Sequence, residues 1–243
     1  MNRTYKDFIN WVRIIINTLI SVSTAVTINY LAKKYGLDDF TNGQYLTILI
    51  FSLVPIVVVS RALIKVAEFL LAKSVSFRRF VMGKFFIEGY WLECTFEKNQ
   101  ENDIVSFAVL KFSIHHMDIV VSGDAYDNSF NYVGNFRSSI TSYKHFNLKY
   151  AYAGNHNTSQ PFDVTGHGKF VFSETGNFPI RFTGYFQDTE AFKDVIYIRG
   201  EKITDLDILD RIEETDVRIK LMKYYSDRKS VEGFNKNSLY ENS

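Results

Sequence analysis

The chain is short of the residues that staple a fold or carry out chemistry. A single cysteine, Cys94, occurs among 243 residues, so no disulfide can form within the chain, and a reducing compartment suits it better than a secreted setting. Lys and Arg number 28 against 27 Asp and Glu, a net charge of +1. No bulk attraction to DNA or RNA polymer follows from that balance, so any basic site must be local. Catalytic signatures are also missing. Five histidines are scattered at 115, 116, 145, 156 and 167. "HHMD" brings His116 near Asp118, but no third ligand stands at a metal-binding spacing. "GHGK" at 166–169 is too short for a phosphate loop and lacks the Ser or Thr that would follow the lysine. No Ser-His-Asp or Cys-His pattern appears. Neither an enzyme, a metal nor a cofactor is expected.

Proline is scarce too, at three residues, while Phe, Tyr and Trp number 22, 15 and 2. Aromatic and β-branched side chains fit a pleated, half-buried surface, so this composition favours strands.

The first quarter differs. No charge lies between Ile14 and Leu31, nor between Phe40 and Ser60, where the centre reads "YLTILIFSLVPIVVVS". A spanning helix needs about 17–25 mostly apolar residues, and both runs qualify. A buried soluble hairpin is the alternative. A cleaved leader fits poorly, because the first run ends without a small-residue cleavage pattern and a second run follows. Residues 11–73 are therefore read as a two-helix transmembrane region. Arg3, Lys6 and Arg13 precede the first run, and Arg61, Lys65, Lys73, Arg78, Arg79 and Lys84 follow the second. That bias predicts cytoplasmic termini and an outer loop at residues 33–44. Asn17, Ser21 and Thr24 form a polar face on the first helix. Such a face packs on the second helix, packs between chains, or lines a polar defect.

After Lys84 the period changes to alternation broken by Gly, Asn and Asp clusters. Eight strands are expected, at 85–96, 104–115, 117–126, 130–143, 146–153, 164–173, 178–187 and 194–200. With short turns and no helix between them, they predict an antiparallel meander that closes into a barrel over 84–202. An outer-membrane barrel is set aside, since two apolar helices would hold the chain at the inner membrane, with the barrel on its cytoplasmic side. Residues 203–225 predict one C-terminal helix, capped by Thr204 with Asp207 and striped by Ile208, Ile212, Ile219 and Met222. It plugs the barrel, packs beside it or pairs with another chain. The polar tail 226–243 is expected to be disordered.

Candidate ligand-binding residues lie on the later strands: Arg137, Lys169, Arg181 and Arg199, with Tyr143, Tyr152, Tyr185 and Tyr197. Arginine forks match phosphate oxygens and aromatic faces stack bases. Without registers, the side of the wall these residues face stays open, and solvent-facing positions are the plain alternative. Gly89 and Trp91, in "IEGYW", stand where small calycin-type barrels begin, with the Trp sealing one end of the core.

Two spans followed by "IEGYW" opening a compact eight-strand domain resemble the SMODS-associated two-transmembrane, β-strand-rich effectors of bacterial cyclic-oligonucleotide anti-phage (CBASS) systems. The likeness covers about residues 11–200 and rests on architecture, with Gly89 and Trp91 as the motif positions. It implies a cyclic di- or trinucleotide ligand made by a partner cyclase, a homo-oligomer, and disruption of the inner membrane that aborts infection. It leaves open whether ligand activates the effector or holds it silent. A membrane-tethered lipocalin-like carrier or sensor of an apolar ligand is the competing reading. Inward Arg and Lys would favour the nucleotide, and an inward face of Phe, Ile and Val would favour the lipid. A barrel that only scaffolds assembly is a third.

Overall fold

A computed structural model describes residues 5–35, 42–97, 100–115, 118–157, 162–173, 177–189 and 195–231. The tip of the expected outer loop, His116 and most of the C-terminal tail lie outside these residues. The chain divides into two compact units, one ending at Met82 and one starting at Gly83.

The first unit holds α1 (Tyr5–Tyr35), α2 (Asn42–Lys73) and α3 (Val75–Met82). α1 and α2 pack together. Arg13, near the start of α1, lies 3.6 Å from Glu68 near the end of α2, which sets the two helices antiparallel. Lys65 supports the same carboxylate at 3.6 Å, one turn away. Ser74 caps α3 by accepting from the Phe77 amide at 3.1 Å, and Arg78 donates back to the Leu71 carbonyl at 2.9 Å. That arginine satisfies an acceptor that the end of α2 leaves over.

Of the two expected spanning helices, the first has support. Among the described residues one helix, Tyr5–Lys34, is long and apolar enough to cross a membrane, and only 6% of its most apolar stretch is buried. On its polar face Asn17 and Ser21 are exposed and Thr24 is half-buried. The Ser21 hydroxyl donates to the Asn17 carbonyl at 3.0 Å, so part of this face satisfies itself within the helix.

The second unit is a closed antiparallel barrel with strands in chain order: β1 (Gly89–Glu97), β2 (Gln100–His115), β3 (Asp118–Asp127), β4 (Tyr132–Lys144), β5 (Asn147–His156), β6 (Phe162–Phe172), β7 (Arg181–Asp188) and β8 (Ile196–Lys202). β8 returns to pair with β1, Cys94 opposite Arg199, so no edge is left open. Every expected strand forms, with ends shifted by a few residues.

One end of the lumen is packed with large rings. Trp91 is fully buried and meets Phe112 and Phe172 edge-on at 5.7 and 5.3 Å and Phe182 at 5.5 Å. Its indole N–H donates to the Ile87 carbonyl at 2.9 Å, so the polar edge is not stranded. Gly89 has φ +122°, a conformation that side chains resist, and it turns the chain into β1.

The C-terminal segment corrects the single helix expected over 203–225. It forms α4 (Leu206–Asp210) and α5 (Thr215–Val231), separated by a turn. Asp205 caps α4, in place of Thr204, accepting from the amides of Asp207 and Ile208 at 2.9 and 3.3 Å. The helices neither plug the barrel nor stand free. Ile212, Leu221 and Met222 pack on the outer side of β1–β3 against Leu92, Cys94, Phe96, Phe107, Val109 and Tyr126.

Candidate functional site

Strand register settles which parity faces inward. Trp91 is opposite Leu110, and Glu93 is opposite Ala108 and Gly200. Tyr152 is opposite Gly166, and Gly166 is opposite Asp188. Following this parity around the wall, the lumen receives Trp91, Glu93, Leu110, Phe112, Tyr143, Tyr150, Tyr152, Phe170, Phe182 and Asp188.

The expected ligand set therefore divides. Tyr143 and Tyr152 face inward and are buried. Arg137, Lys169, Arg181, Tyr185, Tyr197 and Arg199 take the outer parity. Arg137 and Tyr143 are six residues apart in sequence, which would put them on one side of a regular strand. An irregularity between Ser138 and Ile140 reverses the parity and separates them. Arg181 pairs with Glu201 across the β7–β8 ladder at 3.7 Å. Arg137 sits on β4 opposite Ser122 and Ala153, apart from the other cations.

The remaining outer residues come together. Lys149 is opposite Lys169, Lys169 opposite Tyr185, Tyr185 opposite Tyr197, and Tyr197 opposite Phe96. This row crosses five adjacent strands at one level. Arg199 stands one row along, its guanidinium 5.0 Å from the Phe96 ring. Two lysines directly opposed in register repel each other. An anion between them relieves that repulsion, and the neighbouring tyrosines offer faces for flat groups. Lys149 did not stand out in the sequence, because its importance arises only from its partner across the ladder.

The lumen has a different chemistry. Glu93 is 4% exposed, and its Oε2 has no hydrogen-bond partner. Burial pushes this carboxyl up to about 8. The Tyr152 hydroxyl donates to the Asp188 carboxylate. Burial raises the Asp188 carboxyl, with the Tyr152 hydrogen bond and nearby His156 acting in the opposite direction. Burial likewise raises the hydroxyls of Tyr150 and Tyr152, and the charges of Glu93 and Asp188 add to the effect. Tyr150 and Tyr152 fit because β6 offers glycines across from them. A Cβ on Gly168 would stand 2.6 Å from the Tyr150 ring, and one on Gly166 would stand 2.5 Å from the Tyr152 hydroxyl.

By register the described inward positions hold no arginine and a single lysine, Lys202. That lysine sits at the Trp91 end, 5.0 Å from the Phe86 ring and 5.5 Å from the Trp91 ring. Phosphate thus has partners on the outer wall and meets carboxylates inside. Sequence reasoning missed Glu93, Tyr150 and Asp188. One signal for Glu93 was present, since it stands two residues after Trp91 and so shares its inward parity. No group of three or more His, Cys, Asp and Glu suited to a metal ion occurs among the described residues. No protein-family model matches this chain, and neither a curated protein nor a solved structure matches it.

Proposed function

We propose that this chain is a membrane effector governed by a cyclic di- or trinucleotide, which docks on the outer wall of the barrel. The observation that carries the proposal is the register row Lys149–Lys169–Tyr185–Tyr197, with Arg199 beside it. Two opposed lysines provide the charge that a phosphodiester ring neutralises, and the tyrosines lie where bases stack. In this reading α2 is a second span beside α1, both termini and the barrel are cytoplasmic, and the protein resides in a bacterial inner membrane. A partner cyclase supplies the ligand. Ligand changes the balance between dispersed and clustered copies, which requires different affinities for the two arrangements. The clustered helices then breach the bilayer and abort infection.

The full-length protein in detergent, titrated calorimetrically with cyclic di- and trinucleotides, tests this. Lys169→Glu and Arg199→Glu should each weaken binding by about tenfold or more, the value of one charge-assisted hydrogen bond. Unchanged affinity in both variants would remove the ligand from this wall.

One observation favours a second reading, that of a tethered carrier for an apolar ligand: most of the described inward positions are apolar or aromatic and none is arginine. A fluorescent fatty acid that binds with Lys169→Glu unaffected, while no cyclic nucleotide binds, would select it.

A further inference from the structure

We propose that the lumen between Glu93 and Asp188 is a binding site for a small protonated amine. The site lies inside the wall, apart from the outer row assigned to phosphate.

The first observation is an unanswered acceptor. Glu93 is buried at mid-barrel with Oε2 lacking any hydrogen-bond partner. Burying a carboxyl without a partner is costly, and native folds rarely leave one so. A ligand that donates to it removes the cost.

The second observation is room. Glu93 is on β1 and Tyr150 and Tyr152 are on β5, four strands apart on opposite sides of the eight-stranded lumen. Between this level and the end away from Trp91, small inward residues, Thr95, Ser106, Ala108, Ala125, Gly154 and Gly166, alternate around the wall with larger ones such as Phe136, Val164 and Phe186. Ser106, Ala125, Phe186 and Ile196 face inward yet stay partly exposed. A barrel of eight strands has space for one small ligand.

The third observation is sign. Glu93 and Asp188 bring two acids to this half, where His156 stands near Asp188, while the inward lysine, Lys202, is held among rings at the other end. An ammonium group has three donors and no acceptor. One donor answers Glu93, and the others can reach toward the hydroxyls of Tyr150 and Tyr152 across the lumen. The Tyr150 and Tyr152 rings, 5.7 Å apart, provide faces for the cation and for an aromatic or aliphatic body.

The test uses full-length protein in detergent at pH 7 and three probes of one shape: 2-phenylethylamine, 2-phenylethanol and 3-phenylpropanoate. The amine should raise the melting temperature in proportion to its concentration, and the alcohol and the acid should not. Glu93→Gln should weaken amine binding by at least about tenfold. Should that variant fail to fold, Asp188→Asn reads the same expectation with a smaller loss. Tyr197→Ala, on the outer wall, should bind the amine like the wild type, which separates this site from nucleotide docking. Because Glu93 is held mostly protonated at pH 7 in the empty site, amine binding should release a proton. Calorimetric heats would then vary with the ionisation enthalpy of the buffer. An alcohol that stabilises as well as the amine, undiminished amine binding by both variants, or heats indifferent to buffer would each overturn the proposal.

Discussion

Arg218, on the last helix, donates to the carboxylate of Asp124 on β3, joining the C-terminal segment to the outer wall of the barrel. The same guanidinium donates to the Ile212 carbonyl at 2.6 Å, the Tyr126 hydroxyl at 3.1 Å and Glu213 at 3.0 Å. Glu213 also accepts from the Tyr90 hydroxyl at 2.5 Å and stands 3.8 Å from Lys111. The break between α4 and α5 places Glu213 among these partners. Arg218→Met keeps the side-chain stem and removes the fork. It should cost about 1.5–3 kcal/mol, the range for hydrogen bonds to a charged group. Hydrogen exchange should speed up in α5 while protection of β4–β6 persists. Asp124→Asn in the same background should cost less than it does alone, since both changes break one interaction.

Trp91→Ala should destabilise the barrel by about 3–5 kcal/mol, the usual range for emptying a buried aromatic site. The ring touches Phe112, Phe172 and Phe182, and no small set of rotamer changes can fill its place. Urea unfolding followed by tryptophan-independent circular dichroism would measure it. A loss below about 1 kcal/mol would mean that this end of the lumen collapses readily and that Trp91 does not seal it.

Glu93 gives the barrel a pH dependence with a definite sign. Its carboxyl is raised by burial to about 8, against an unfolded value of 4.5. The folded state therefore holds more protons between those values. Stability is full below about 4.5 and falls as pH climbs through 8, on the order of 1.4 kcal/mol per unit at most. Glu93→Gln cannot ionise, so its urea midpoint should fall less between pH 5 and pH 8.5. Parallel curves for the two proteins would show that Glu93 does not titrate in this range.

The polar face of α1 can be separated from the barrel. Replacing Asn17, Ser21 and Thr24 together by Leu increases hydrophobicity and should leave membrane residence and nucleotide affinity intact. It removes the small, polar surface through which helices approach one another. In cells that make the ligand, a potential-sensitive dye should report depolarisation with the wild type and none with the triple variant at equal protein level. Equal depolarisation would assign this face to packing alone.

Orientation has its own test. Cys94 is buried, so an introduced cysteine at Asn42 would be the accessible thiol. The Lys/Arg bias predicts that position to be outside, in which case an impermeant maleimide should label it in intact cells. Labelling only after permeabilisation would reverse the topology.

The strands were legible because alternation and Gly/Asn/Asp breaks are local signals. β1 shows where legibility stopped. Trp91 through Phe96 are buried on both parities, the inner by the lumen and the outer by the C-terminal helices. Its period of two is therefore masked, and the sequence alone could not say which parity was inward. The same gap hid the separation of Arg137 from Tyr143, which depends on one irregular step in β4. The opposition of Lys149 and Lys169 is a property of register between strands, as is the meeting of Tyr152 with Asp188. The break at 211–214 was obscured by the regular spacing of Ile208, Ile212, Ile219 and Met222, which a single helix would satisfy equally well.

Closure of the barrel also dictates an order of events as the chain leaves the ribosome. Seven of the eight ladders join neighbouring strands and can zip up as hairpins while synthesis proceeds. The eighth, β1 with β8, must wait for residues near Arg199 to emerge. Until then β1 has an unpaired flank, and the apolar outer faces of β1 and β2 have no helices over them. The nascent protein therefore carries a sticky seam from the emergence of β1 until β8 closes it and the helices that follow cover it.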